Sequence, residues 1–188
     1  MPGSYYGDEC CLNESQVCLR DCFRLLWVQH VYWTRMVIMG IAFDLPDLKQ
    51  TTNRLLRNAP DFARVFCHFY GNEIASQFEC LIREHLVIAA ELVKAAKAGK
   101  SRAAADAERR WYENAEEIVC FLNDINPNWS VECMRDMWFT HLALTKEEAV
   151  ATIKKDYDRS IRTFDKIEEE ALMMADEFSN GIICQFDL

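Results

Sequence analysis

Two apolar stripes at helical spacing, meeting at the Ala98-Gly99-Lys100-Ser101 turn, constrain this chain more than any other feature. The first reads Ile74, Phe78, Leu81, His85, Ile88, Leu92; the second reads Ala107, Trp111, Asn114, Ile118, Phe121, Ile125. A repeat of three to four residues puts such a stripe on one face of a helix, turned toward a core. His85 lies fourteen residues before Gly99 and Asn114 fifteen after it, so antiparallel packing brings both polar side chains to one depth. The sequence therefore predicts a helical hairpin over 72–124 with a buried polar layer.

The rest of the chain fits around that hairpin. A helix over 14–43, with Asn13 as N-cap, places Leu19, Phe23, Leu26, His30, Trp33, Val37 and Ile41 on one face and stops before Pro46. Two short helical pieces follow, 48–57 and 61–70, and His68 falls off the apolar stripe of the second. After the hairpin, Asn126-Pro127-Asn128 ends one helix, and the next starts at Trp129 or Ser130 with Met134, Met137, Trp138 and His141 facing inward. Thr145-Lys146-Glu147-Glu148 reads as a capping box that opens a last helix running to Asn180-Gly181. The alternative is one kinked helix over 130–180, since neither Gly nor Pro intervenes. Ile153, Tyr157, Phe164, Ala171, Met174 and Phe178 form its inner face. The expected fold is one all-α domain over 1–188, an up-and-down four-helix bundle with additional short helices, in which 1–13 is a flexible tail.

Depth counting extends the polar layer. His30 precedes the end of its helix by the same thirteen residues that separate His85 from the start of the next, and His141 and Asn114 are similarly matched across the Asn126 turn. Trp27, Trp111 and Trp138 each stand one turn below His30, Asn114 and His141, and Thr34 and Thr145 follow one turn above the two histidines. Duplication of a hairpin would leave such a trace. The functional reading is a transition metal, Fe, Mn or Zn, held by His30, His85 and His141 and completed by Asn114 or a carboxylate from Glu84, Glu117 or Glu168. Thr34 would anchor the second nitrogen of His30, and Trp27, Trp111 and Trp138 would wall the site. Two other readings stand beside it: a hydrogen-bond layer that only fixes register in a structural or interaction protein, and a pocket for haem or a small organic molecule.

This layout resembles the hemerythrin-like and ferritin-like bundles, which implies non-haem iron held by side chains from several helices. It departs from them at one point: Trp27, Ile82 and Trp138 stand where the glutamates of a Glu-x-x-His di-iron motif belong. The runs 29–35, 84–89 and 111–115 are similar to an uncharacterised all-helical family of bacterial proteins from Firmicutes. Some of its members carry the label acetylglutamate kinase. That label implies Gly-rich phosphate loops, and the chain has no such glycine cluster.

Charge and cysteines narrow the function classes. A formal charge of −9 opposes general affinity for nucleic acid or anionic membrane. No apolar run reaches membrane-spanning length and the first residues lack a signal pattern, so a cytoplasmic location is expected. Nine cysteines, an odd number without a C-x-x-C pair, fit reduced thiols; Cys18 and Cys22, at i and i+4, are the best chelating pair among them. Asp158, Asp165, Glu169 and Asp176 read as a solvated helix face. A small-molecule partner and a homo-oligomer both remain compatible with the sequence.

Overall fold

Asn13 opens the first helix by accepting a hydrogen bond from the Gln16 amide, while the Gln16 side chain accepts from the Asn13 amide, so the capping box forms in full. The computed structural model describes residues 13–188, and the expected tail before Asn13, with Cys10 and Cys11, lies outside the described residues. Among the described residues there are six helices and no strand: α1 (Glu14–Phe43), α2 (Leu48–Leu56), α3 (Asn58–Lys97), α4 (Ser101–Ile125), α5 (Val131–Ile153) and α6 (Tyr157–Phe186). The all-α bundle is the expected class. None of these helices is long and apolar enough to cross a membrane.

Cross-helix pairs fix the directions. Arg24 pairs with Asp176, Tyr32 donates to Glu168, and Phe43 touches Tyr157, so α6 runs antiparallel to α1. Trp27 meets Trp138 and Arg35 meets Glu148, so α5 runs parallel to α1. Within α3, Gly71 takes φ 79° and ψ 175°, a conformation that favours glycine. Phe66 and Phe78 stack 4.0 Å apart across it, whereas twelve residues of straight helix span about 18 Å. The chain therefore reverses at Gly71. Residues 48–70 run down beside α1, 72–97 run up, and the molecule becomes three consecutive up-down hairpins: α1 with 48–70, 72–97 with α4, and α5 with α6.

Two expectations are corrected. The break between the last helices falls at Lys154–Asp156, ten residues beyond Thr145, which lies buried in the middle of α5. No glycine or proline makes this turn: Lys155 adopts φ 61°, and the Asp156 side chain caps α6 by accepting from the Arg159 amide. Tyr157 is consequently exposed, and Ile153 is only half-buried. Gly181 also does not end a helix, because α6 continues to Phe186. Its role is contact. A Cβ at Gly181 would lie 1.9 Å from the indole nitrogen of Trp129, a fully buried ring that donates to the Glu177 carbonyl.

Gly181→Ala tests that contact. An ordinary helical Gly→Ala change stabilises by up to about 1 kcal/mol; here overpacking should reverse the sign and destabilise by roughly 2 kcal/mol, read as a lower urea midpoint.

Candidate metal centre

His30, His85 and His141 come from the three ascending segments and meet in the middle of the bundle, each 1–2% exposed. Their ring centroids form a near-equilateral triangle of 5.3, 5.9 and 6.0 Å, and one nitrogen from each lies within 4.8 Å of the others. Among the described residues this is the one cluster of His, Cys, Asp or Glu arranged to hold a metal ion. Cys18 and Cys22 are exposed and free.

What stands behind the rings decides which nitrogen faces inward. Asn58 donates through Nδ2 to the Leu26 carbonyl, which leaves its Oδ1 for Nδ1 of His30 at 2.8 Å. An amide oxygen only accepts, so His30 carries its proton on Nδ1 and a lone pair on Nε2. Glu170 places a carboxylate oxygen 3.1 Å from Nδ1 of His141, which turns the other ring nitrogen, Nε2, away from α6. Asn114 donates to the Leu81 carbonyl, and its oxygen is left for Nδ1 of His85. That pair is looser: neither atom completes a full hydrogen bond. Asn114 thus stands behind His85 rather than among the metal ligands, correcting its expected place.

One nitrogen of each ring consequently converges on the centre, Nε2 with its lone pair in His30, and no hydrogen bond joins one ring to another. Three buried donors lie close by, the indole N–H groups of Trp27, Trp111 and Trp138, and none is hydrogen-bonded to anything. Trp27 and Trp138 pack against the histidine rings from below, and Trp111 lies beside His85 at 5.4 Å.

The carboxylates chosen from sequence are elsewhere. Glu84 and Glu117 are exposed, since each sits next to or one turn from a ring residue but on the outer helix face. Glu168 accepts from the Tyr32 hydroxyl at the surface, 2.6 Å away. Thr34 does not anchor His30, a role taken by Asn58; its hydroxyl is buried without a partner above the layer. Asn58 and Glu170 were missed, yet the depth counting that found the others also finds them. Asn58 is thirteen residues before Gly71, with His85 fourteen after; His141 is fourteen before Lys155, with Glu170 fifteen after. Once both reversals are placed, His30, His85 and His141 are spaced by 55 and 56 residues, and Asn58, Asn114 and Glu170 by 56 and 56. Each hairpin contributes one histidine and one acceptor behind it.

Comparison with protein-family models, curated proteins and solved structures finds no match.

Burial sets the electrostatics. Desolvation, followed by the neighbouring His141, pushes His30 down to about 3, and desolvation with both other histidines holds His85 well below the usual histidine range. These two rings are neutral at pH 7 and offer lone pairs. On the next turns of α1 and α5, Glu148 pairs with Arg35, and Ser160 lies within reach of that guanidinium; burial raises Glu148 to about 7 against the pull of Arg35.

In the metal-free protein these groups oppose one another as pH falls. Below pH 6.5 the unfolded chain protonates His30 and His85 while the folded one does not, so their share of stability is lost. Between about 7 and 4.5 the folded state instead protonates Glu148 first, which adds stability. Two groups against one leave a net loss of roughly 1 kcal/mol per pH unit between pH 6 and 5, and Glu148→Gln should about double that slope in urea titrations.

Proposed function

We propose that the protein is a three-histidine metalloprotein, in which Nε2 of His30, His85 and His141 binds one divalent transition metal and leaves a coordination position open for a small molecule. The observation that carries this reading is the convergence of three buried ring nitrogens with no hydrogen bond between the rings. A cation satisfies all three at once. A self-contained hydrogen-bond layer needs donors between the rings, and the partners on Nδ1 of His30 and His141 hold those protons outward. The set of imidazoles without an oxygen ligand favours Zn or Fe over Mn. Asn58, Asn114 and Glu170 act as the outer partners that orient the rings, as carboxylates and carbonyls do in histidine metal sites generally. Bound there, the metal would supply Lewis-acid or redox chemistry for sensing, storage or turnover of its small-molecule partner. The free space beside the rings is about 110 Å³, far below the usual few hundred for larger organic ligands, so a haem reading is disfavoured. The hemerythrin-like comparison extends only to the use of histidines from several helices.

Tag-free protein purified without chelators should carry close to one metal per chain by elemental mass spectrometry. His85→Ala should abolish retention. Glu170→Ala, which removes only an outer partner, should weaken affinity by about 10- to 100-fold in chelator competition while the site still fills at high metal. Metal-free protein that also fails to take up Zn or Fe on reconstitution would refute the reading.

A further inference from the structure

The histidine layer divides the bundle interior into two unlike halves. Below it, Phe23, Phe62, Phe66, Phe78, Phe178 and Trp129 fill the space with fully buried rings. Above it, toward the Gly99 turn, side chains are short or aliphatic, and a cavity of about 110 Å³ remains open directly over the three histidines. Its walls are Val37, Ile38, Leu86, Ala89, Val93 and Ala149, from the residue next to His85 to about two turns beyond the histidines on their own helices. The alanines leave the volume.

Polarity in this chamber is confined to its two ends. At the inner end stand the histidines with Thr145, the unpartnered Thr34 hydroxyl and the unpartnered indole N–H of Trp111 beside His85. At the outer end Lys146 of α5 pairs with Glu108 of α4, half-exposed, and the pair closes the mouth between those helices. The charged side chains that line the chamber are Lys146 and Glu108, and each is already paired with the other, so a second charge on an occupant would have to break that pair or stay buried without a partner. The inner end has the opposite preference. Imidazole nitrogens bring no charge of their own to a metal, so a divalent ion bound to three of them keeps a positive charge that the single carboxylate of Glu170 behind His141 does not cancel, in a buried site where an anionic oxygen is favoured.

We infer that the chamber is the binding site for a short aliphatic monocarboxylate of about six heavy atoms, a size comparable to the occupants of engineered cavities of similar volume. The carboxylate oxygen takes the open position on the metal, and the alkyl tail lies along Val37, Leu86, Ala89 and Ala149. This inference rests on the metal reading and adds the substrate class.

Cobalt(II) serves as metal and reporter, since its visible bands change when a fourth ligand binds. The full chain loaded with cobalt is titrated with acetate, butyrate and succinate. Butyrate should bind about tenfold more tightly than acetate, the worth of two buried methylenes, and succinate should bind more weakly than butyrate. Ala149→Leu and, as a milder filling of the same wall, Ala89→Leu should keep stoichiometric cobalt but lose at least tenfold in butyrate affinity. Equal binding of acetate and butyrate, or unchanged butyrate affinity in both variants despite full cobalt loading, would overturn the chamber assignment and leave the metal site standing. Failure of the wild-type chain to bind cobalt would overturn both.

Discussion

Everything in the interior depends on how three imidazoles are held from behind, each by a side chain on the descending half of the same hairpin: Nδ1 of His30 donates to Asn58, Nδ1 of His141 meets Glu170, and His85 faces Asn114 more loosely. Those partners turn the other ring nitrogens toward the centre of the bundle, and that decides what the centre can accept. It also fixes geometry. A histidine whose outer nitrogen is held by Asn58 or Glu170 has little freedom to turn, so the rings face one another whether or not anything lies between them. Nδ1 of His85, the Asn114 oxygen and the indole N–H groups of Trp27, Trp111 and Trp138 are left buried without partners, at a cost on the order of 1–3 kcal/mol each. The molecule tolerates this in the middle of a core whose lower half is close-packed aromatic surface, with Phe66 stacked on Phe78 and Phe178 touching both of them and four further rings. Stability is concentrated below the layer and the polar cost is concentrated in it.

The division above and below the histidines gives the site its chemistry. Bulky rings beneath deny access from that side, and the alanine-rich walls above leave a channel toward the Lys146–Glu108 pair. A metal held there would face a chamber with one polar end, one apolar body and one ionic mouth. In that proposal, charge selection at the inner end and size selection along the wall would be carried by different residues. Each can be altered without the other.

Much of this was legible in the sequence because it rests on helical period. The stripes around His30, His85, Asn114 and His141 located the layer, and α1 begins and ends where Asn13 and Asp44 indicate. Two misplaced reversals account for most of what was missed. Gly71 was read as a boundary between helices rather than a reversal, and Thr145-x-x-Glu148 matched a capping pattern although both residues are buried in mid-helix, where Glu148 is needed by Arg35. Lys155 turns the chain without glycine or proline, so local composition gave no sign of it. Those two errors hid Asn58 and Glu170, and with them the acceptors that orient the rings. The choice of Glu84, Glu117 and Glu168 failed for a different reason: proximity along a helix does not place a side chain on its inner face.

The most direct test of the central claim is nitrogen-15 NMR of the histidine side chains in the metal-free protein at pH 7. The account predicts that His30 and His85 are neutral, with the proton on Nδ1 and an unprotonated Nε2, and that the Nε2 signals of all three histidines move when zinc is added. A proton on Nε2 of His30 or His85, with no change in any of the three signals on adding zinc, would supply the missing donor, make the layer a self-sufficient hydrogen-bond network, and contradict the account.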